Sequence, residues 1–105
     1  MIDRDAIKLV LANLQSLLRD CGRIREATMI GDWLTSIERS TDEADLTALS
    51  THIHESMVGM GSLNDIVLTP LPDSSWSKIE ANAKLADLSN ELFQLTGRDR
   101  KDTSR

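Results

Sequence analysis

Apolar residues recur at three- and four-residue steps through most of this chain, and that spacing predicts four amphipathic helices. In the first, Asp3 to Cys21, one stripe carries Ala6, Ile7, Val10, Leu11, Leu14, Leu17, Leu18 and Cys21. Asp5, Lys8, Gln15, Ser16 and Arg19 fall opposite, and Leu9 falls off the stripe, free to meet a neighbour or a partner. Asp3 and Asp5 suit the positive end of the helix dipole, and Gly22 suits a left-handed stop. The second helix, Arg23 to Arg39, has an apolar face of Ala27, Ile30, Trp33, Leu34 and Ile37. The short link at Gly22 favours an antiparallel hairpin, and Gly31 offers a close approach. Ser40 and Glu43 have capping-box spacing, which predicts a third helix from Ser40 to about Met57 or Val58. Its stripe is Leu46, Leu49, Ile53, Met57 and Met60. Cap candidates at 73–75 after Pro70 and Pro72 predict a fourth helix from Ser74 to Thr96, ended by Gly97. Its polar face is Glu80, Lys84, Asp87, Glu91 and Gln94. Trp76, Ile79, Ala83, Leu85, Ala86, Leu88, Leu92, Phe93 and Leu95 cover much of the rest. So wide an arc predicts contact on two sides, within the bundle or through a homodimer.

Helical spacing lapses over residues 59–72. Gly59 and Gly61 permit positive φ, while Ser62, Asn64 and Asp65 can hold a turn. Ile66-Val67-Leu68 suits a buried extended piece, strand or loop, or a single helical turn. Pro70 and Pro72 bias Thr69 and Leu71 toward extended backbone. The expected architecture is therefore all-α: a four-helix bundle-like single domain over residues 1–97, with an irregular Gly/Pro crossover at 59–72. The charged tail at 98–105 is expected to be disordered. Gly59, Gly61, Ser62, Leu63, Asp65, Ile66, Val67 and Leu68 together resemble a G-x-G-S-[LF]-x-D-[LI]-V-L segment of an uncharacterised family of small bacterial helical proteins. The resemblance covers about a tenth of the chain. It implies a bacterial, cytoplasmic origin and carries no established activity.

Charge sharpens this picture. The chain has a net charge of −5 over 105 residues, and residues 40–73 hold Asp42, Glu43, Asp45, Glu55, Asp65 and Asp73 with no Lys or Arg. Such a middle repels phosphate backbones and favours a basic protein. Trp33, Trp76 and Phe93 are the only aromatic residues, too few for a base-stacking surface. Nucleic acid is not an expected partner. Nor is a membrane, since no apolar run nears the ~20 residues a span needs. The single Cys21 forbids an internal disulfide and fits a reducing compartment.

Candidate chemistry is sparse. HExxH, GxSxG, CxxC and Walker A patterns are all absent. His52 and His54 sit about 200° apart on a helix and cannot share an ion. No metal or cofactor is expected. Gly59, Gly61, Ser62 and Asn64, with His54 nearby in sequence, form the candidate ligand loop, because Gly-x-Gly-Ser can present N–H groups to an anion. Ser62, Asp65 and His54 also allow a hydrolase-like grouping, weighed against ordinary turn residues and a surface His. The favoured reading is a non-enzymatic protein-binding module of immunity or antitoxin-like type. It would mask a basic partner through Asp42, Glu43, Asp45, Glu55 and Asp65. The alternatives are a small-ligand regulator or enzyme using the 59–65 loop and His54, and a structural homo-oligomer built on the fourth helix.

Overall fold

The computed structural model describes residues 3–58, apart from the Val58 side chain, and residues 66–97. They form four helices: α1 (Arg4–Asp20), α2 (Ile24–Arg39), α3 (Glu43–Val58) and α4 (Lys78–Thr96). No strand occurs among the described residues. The helices close into a ring. α1 packs most extensively on α2 and next on α4, while α3 joins through α4 and α2. Neighbours run antiparallel. The Gly22 hairpin reverses α1 into α2, Ser50 and His54 of α3 meet Thr96 and Phe93 of α4, and Trp76 just ahead of α4 reaches Asp20 at the end of α1.

α1 starts where an acid caps it: Asp3 Oδ1 accepts the Ala6 N–H at 3.0 Å. Its stripe then buries Ile7, Val10, Leu11, Leu14, Leu17 and Leu18, with Cys21 just beyond. A fully buried Leu or Ile is worth about 1.5–3 kcal/mol relative to an exposed one, so this stripe dominates the stability of the hairpin. The helix ends in a Schellman motif. The Arg23 N–H reaches the Leu18 carbonyl at 2.8 Å and the Gly22 N–H reaches that of Arg19 at 3.1 Å. Gly22 adopts φ +74°, and a Cβ there would also meet Leu71 Cδ2 at 3.2 Å. The left-handed backbone therefore favours glycine, and a Cβ would in addition press on the exposed Leu71 side chain.

Two helix starts differ from expectation. Ser40 does not cap α3. It ends α2, and its hydroxyl donates to the Ser36 carbonyl at 2.9 Å. Asp42 takes the role instead, its Oδ1 accepting the Asp45 N–H at 2.8 Å. Asp caps as well as Ser, and the Ser40 hydroxyl is already engaged one turn back. α4 starts one turn later than Ser74, at a Ser77–Glu80 capping box in which both reciprocal bonds form. Ser74 belongs to the preceding turn: its N–H donates to Leu71 and its hydroxyl accepts from Trp76 N–H. That turn places the Trp76 indole N–H 3.3 Å from Asp20 Oδ2.

The wide apolar arc of α4 narrows in the fold. Its core face is Ala81, Leu85, Leu88, Leu92 and Leu95 with the small polar Ser89 and Thr96. Ala83 and Ala86 face solvent, and Ile79 is 84% exposed. Leu9 is likewise exposed, at 63%. The 66–68 piece is extended and alternates: Leu68 is buried, Val67 faces solvent and Ile66 is half-buried. It forms no strand because its partner is a side chain. Asn82 accepts the Leu68 N–H at 2.8 Å and donates to the Leu68 carbonyl at 3.0 Å. One carboxamide thus satisfies both backbone groups at the point where the chain enters the core.

Replacing Gly22 by Ala is expected to destabilise the fold by about 1–2 kcal/mol, the cost of a left-handed L-residue, with Asn milder. A lowered denaturant midpoint at constant m would show it. An unchanged midpoint in Gly22→Ala would refute the account of this turn.

Candidate functional site

The two histidines diverge, as their spacing on one helix predicts. The His52 ring meets the edge of buried Trp33, with centroids 6.5 Å apart and planes at 89°. The His54 ring lies on the other side, stacked on Phe93 at 4.1 Å and 25°. His54 Nδ1 lies 3.1 Å from both the Phe93 carbonyl oxygen and Thr96 Oγ1. A carbonyl can only accept, so Nδ1 carries the proton. The Thr96 hydroxyl spends its own hydrogen on the Leu92 carbonyl at 2.8 Å, which leaves its lone pairs to the imidazole. One turn earlier on α3, the buried Ser50 hydroxyl donates to the Thr96 carbonyl at 3.2 Å. The last turn of α4 leaves carbonyls short of intrahelical donors: Ser50 supplies one to Thr96, and His54 adds a second to the Phe93 carbonyl, which also accepts the Gly97 N–H at 3.0 Å. Gly97 completes the fit, since a Cβ there would come 2.8 Å from His54 Cε1.

His54 is therefore part of an interhelical clasp. Neither Ser50 nor Thr96 was legible as part of it; the available signal is the Ser50/His54 spacing of four, opposite Phe93/Thr96 at three. The other loop candidates, Gly59, Gly61, Ser62 and Asn64, lie outside the described residues, and so does Asp65. Among the described residues no group of three or more His, Cys, Asp and Glu side chains could hold a metal ion.

The acidic candidates do not all gather. Asp42, Glu43 and Asp45 are exposed together on the turn that opens α3. Glu55 is also exposed, but it stands twelve residues along from Glu43, about 18 Å at the helical rise. Asp45 borders a shallow hollow of about 490 Å³ between α2 and α3, shared with Ser36, Arg39, Ser40, Ala48 and Leu49. Its floor is partly apolar and its rim carries charge of both signs.

Cys21 is buried at the end of α1. Burial pushes its thiol up from the ordinary value, and the neighbouring Asp20 carboxylate adds to the rise. A thiol held in this form is a poor nucleophile. No helix among the described residues is long and apolar enough to cross a membrane. Comparison with protein-family models, with curated proteins and with solved structures yields no match. The functional reading accordingly rests on this chain's own geometry.

Two measurements follow from the clasp and the thiol. His54→Asn retains a donor near the Nδ1 position and is expected to lose less stability than His54→Ala, which gives up an interhelical hydrogen bond worth about 0.5–1.5 kcal/mol while the Phe93 carbonyl keeps the Gly97 N–H. Equal losses in chemical denaturation would assign His54 to stacking alone. For Cys21, a raised native pKa stabilises the fold at pH values below the unfolded thiol's pKa. That contribution disappears as pH rises through the native value. Denaturant midpoints of the wild type should therefore fall at alkaline pH more steeply than those of Cys21→Ala, and disulfide reagents should label Cys21 only as fast as the chain opens.

Proposed function

We propose that this chain is a non-enzymatic protein-binding module that receives a basic protein partner on the acidic opening turn of α3. The observation that carries the reading is the joint exposure of Asp42, Glu43 and Asp45, at the start of a 34-residue stretch, residues 40–73, that contains no Lys or Arg. The helix dipole does not neutralise this turn completely: three carboxylates face roughly half a positive charge. The adjoining hollow adds shape to the charge. A Lys or Arg from a partner can lay its aliphatic stem on Ala48 and Leu49 while its head meets Asp45. A surface of this kind suits the masking of a basic enzyme by an immunity or antitoxin-like protein, because complementary charge speeds encounter and selects the partner. The alternative centred on His54 is weakened, because its Nδ1 is committed to the end of α4.

Neutralisation tests the surface without removing the cap, since Asn caps as well as Asp. The full chain and the triple variant Asp42→Asn, Glu43→Gln, Asp45→Asn are used as baits against extract of the source cells at low salt. The wild type is expected to retain a basic protein that high salt releases. The purified partner should bind the triple variant at least about tenfold more weakly, with a shallower salt dependence. Identical partners and affinities for both baits would refute this surface assignment.

A further inference from the structure

We infer that the groove between α1 and α2 is a binding site for a short zwitterionic peptide of about two residues. Two polar rows face each other across it: Gln15 and Arg19 at four-residue spacing on α1, and Thr28, Asp32 and Thr35 at four- and three-residue spacing on α2. Gly31 is among the residues lining it, and the volume of this open groove is about 340 Å³. The Gln15 carboxamide lies directly over this glycine, since a Cβ on Gly31 would come 2.5 Å from Nε2. The groove shares no lining residue with the hollow beside Asp45, so it is a separate surface from the acidic turn.

The chemistry on the two rows is unspent. Among the described residues, the side chains of Gln15, Arg19 and Asp32 take part in no ion pair and no hydrogen bond. A guanidinium, a carboxylate and a carboxamide therefore line one groove with their hydrogen-bonding capacity unspent among the described residues. Register separates the two charges. Gln15 lies opposite Gly31, so in this antiparallel pair Arg19 lies four residues to one side and Asp32 one residue to the other. That offset is about 7 Å along the groove at 1.5 Å per residue. Two extended residues span about 7 Å. A dipeptide can thus place its terminal carboxylate on Arg19, in the fork geometry a guanidinium favours, and its ammonium on Asp32. Its central amide then falls beside Gln15, with the Thr28 hydroxyl near the Arg19 end and Thr35 about one turn beyond Asp32. A single amino acid is too short to meet both charges. A longer peptide carries a terminus past one of them.

The test is a titration of the isotope-labelled full chain with dialanine, N-acetyl-dialanine and dialanine amide, followed by amide chemical shifts. Dialanine is expected to bind with a dissociation constant of about millimolar order, shifting the amides of Gln15, Arg19, Thr28, Asp32 and Thr35. Blocking either terminus should weaken binding about tenfold. So should Arg19→Gln or Asp32→Asn, whose thermal midpoints serve as the check that these exposed changes leave the fold intact. The inference is overturned if dialanine shifts no amides, if the shifts scatter away from the groove, or if the blocked peptides bind as well as the free one.

Discussion

The buried stripe of α1 and the left-handed residue that ends it hold the rest of the molecule in place. Ile7, Leu11, Leu14 and Leu18 are wholly out of solvent, which is possible only with helices on two sides. α2 is delivered to one side by a reversal in which Gly22 takes φ +74°, a conformation glycine adopts without strain. The entry to α4 is fastened to the same corner. The Leu71 N–H points to the Asp20 carbonyl at 3.4 Å, the Leu71 side chain rests on Gly22, and the Trp76 indole donates to Asp20. One helix end therefore organises both of its neighbours.

The seams of the ring differ in kind. Between α1 and α2 the contact is apolar and continuous along the stripe. Between α3 and α4 it includes Ser50, His54 and Thr96, whose hydrogen bonds satisfy the carbonyl end of α4. Such a seam depends on direction as well as area, because a buried donor or acceptor left unpaired costs about 1–3 kcal/mol. It sets the register of α3, whose apolar stripe alone would tolerate sliding. Register in turn decides what α3 presents: its acidic opening turn stands clear of the end of α4 and is left to solvent. A histidine that invites a catalytic reading thus has a structural place, at the seam that positions the helix carrying the exposed charge.

Charge and shape are divided over different faces. The acidic turn of α3 exposes three carboxylates beside a partly apolar hollow that Arg39 also borders. The groove between α1 and α2 carries balanced charge and a carboxamide over a glycine notch, the arrangement that suits a small molecule with both signs of charge. Gly31 contributes to the second by omission, leaving room for the Gln15 carboxamide.

The four helices, the hairpin at Gly22, the core stripe of α1 and the burial of Trp33 were all written in residue spacing. Each depends on neighbours three or four positions away, and local periodicity reports such neighbours directly. The opening turns were harder because several residues competed for each cap. Ser40 and Ser74 had the right chemistry, but their hydroxyls are consumed one turn back and two residues on, and Asp42 and Ser77 do the capping. Tertiary structure alone decided the fate of α4's apolar arc, where Ile79, Ala83 and Ala86 turn to solvent while the face toward α1 and α3 is buried. It alone decided that Leu68 would pair with a carboxamide, and that Gln15, Arg19 and Asp32 would share one groove. These outcomes join residues far apart in the chain, and side chains do not encode in their order which distant partner will satisfy them.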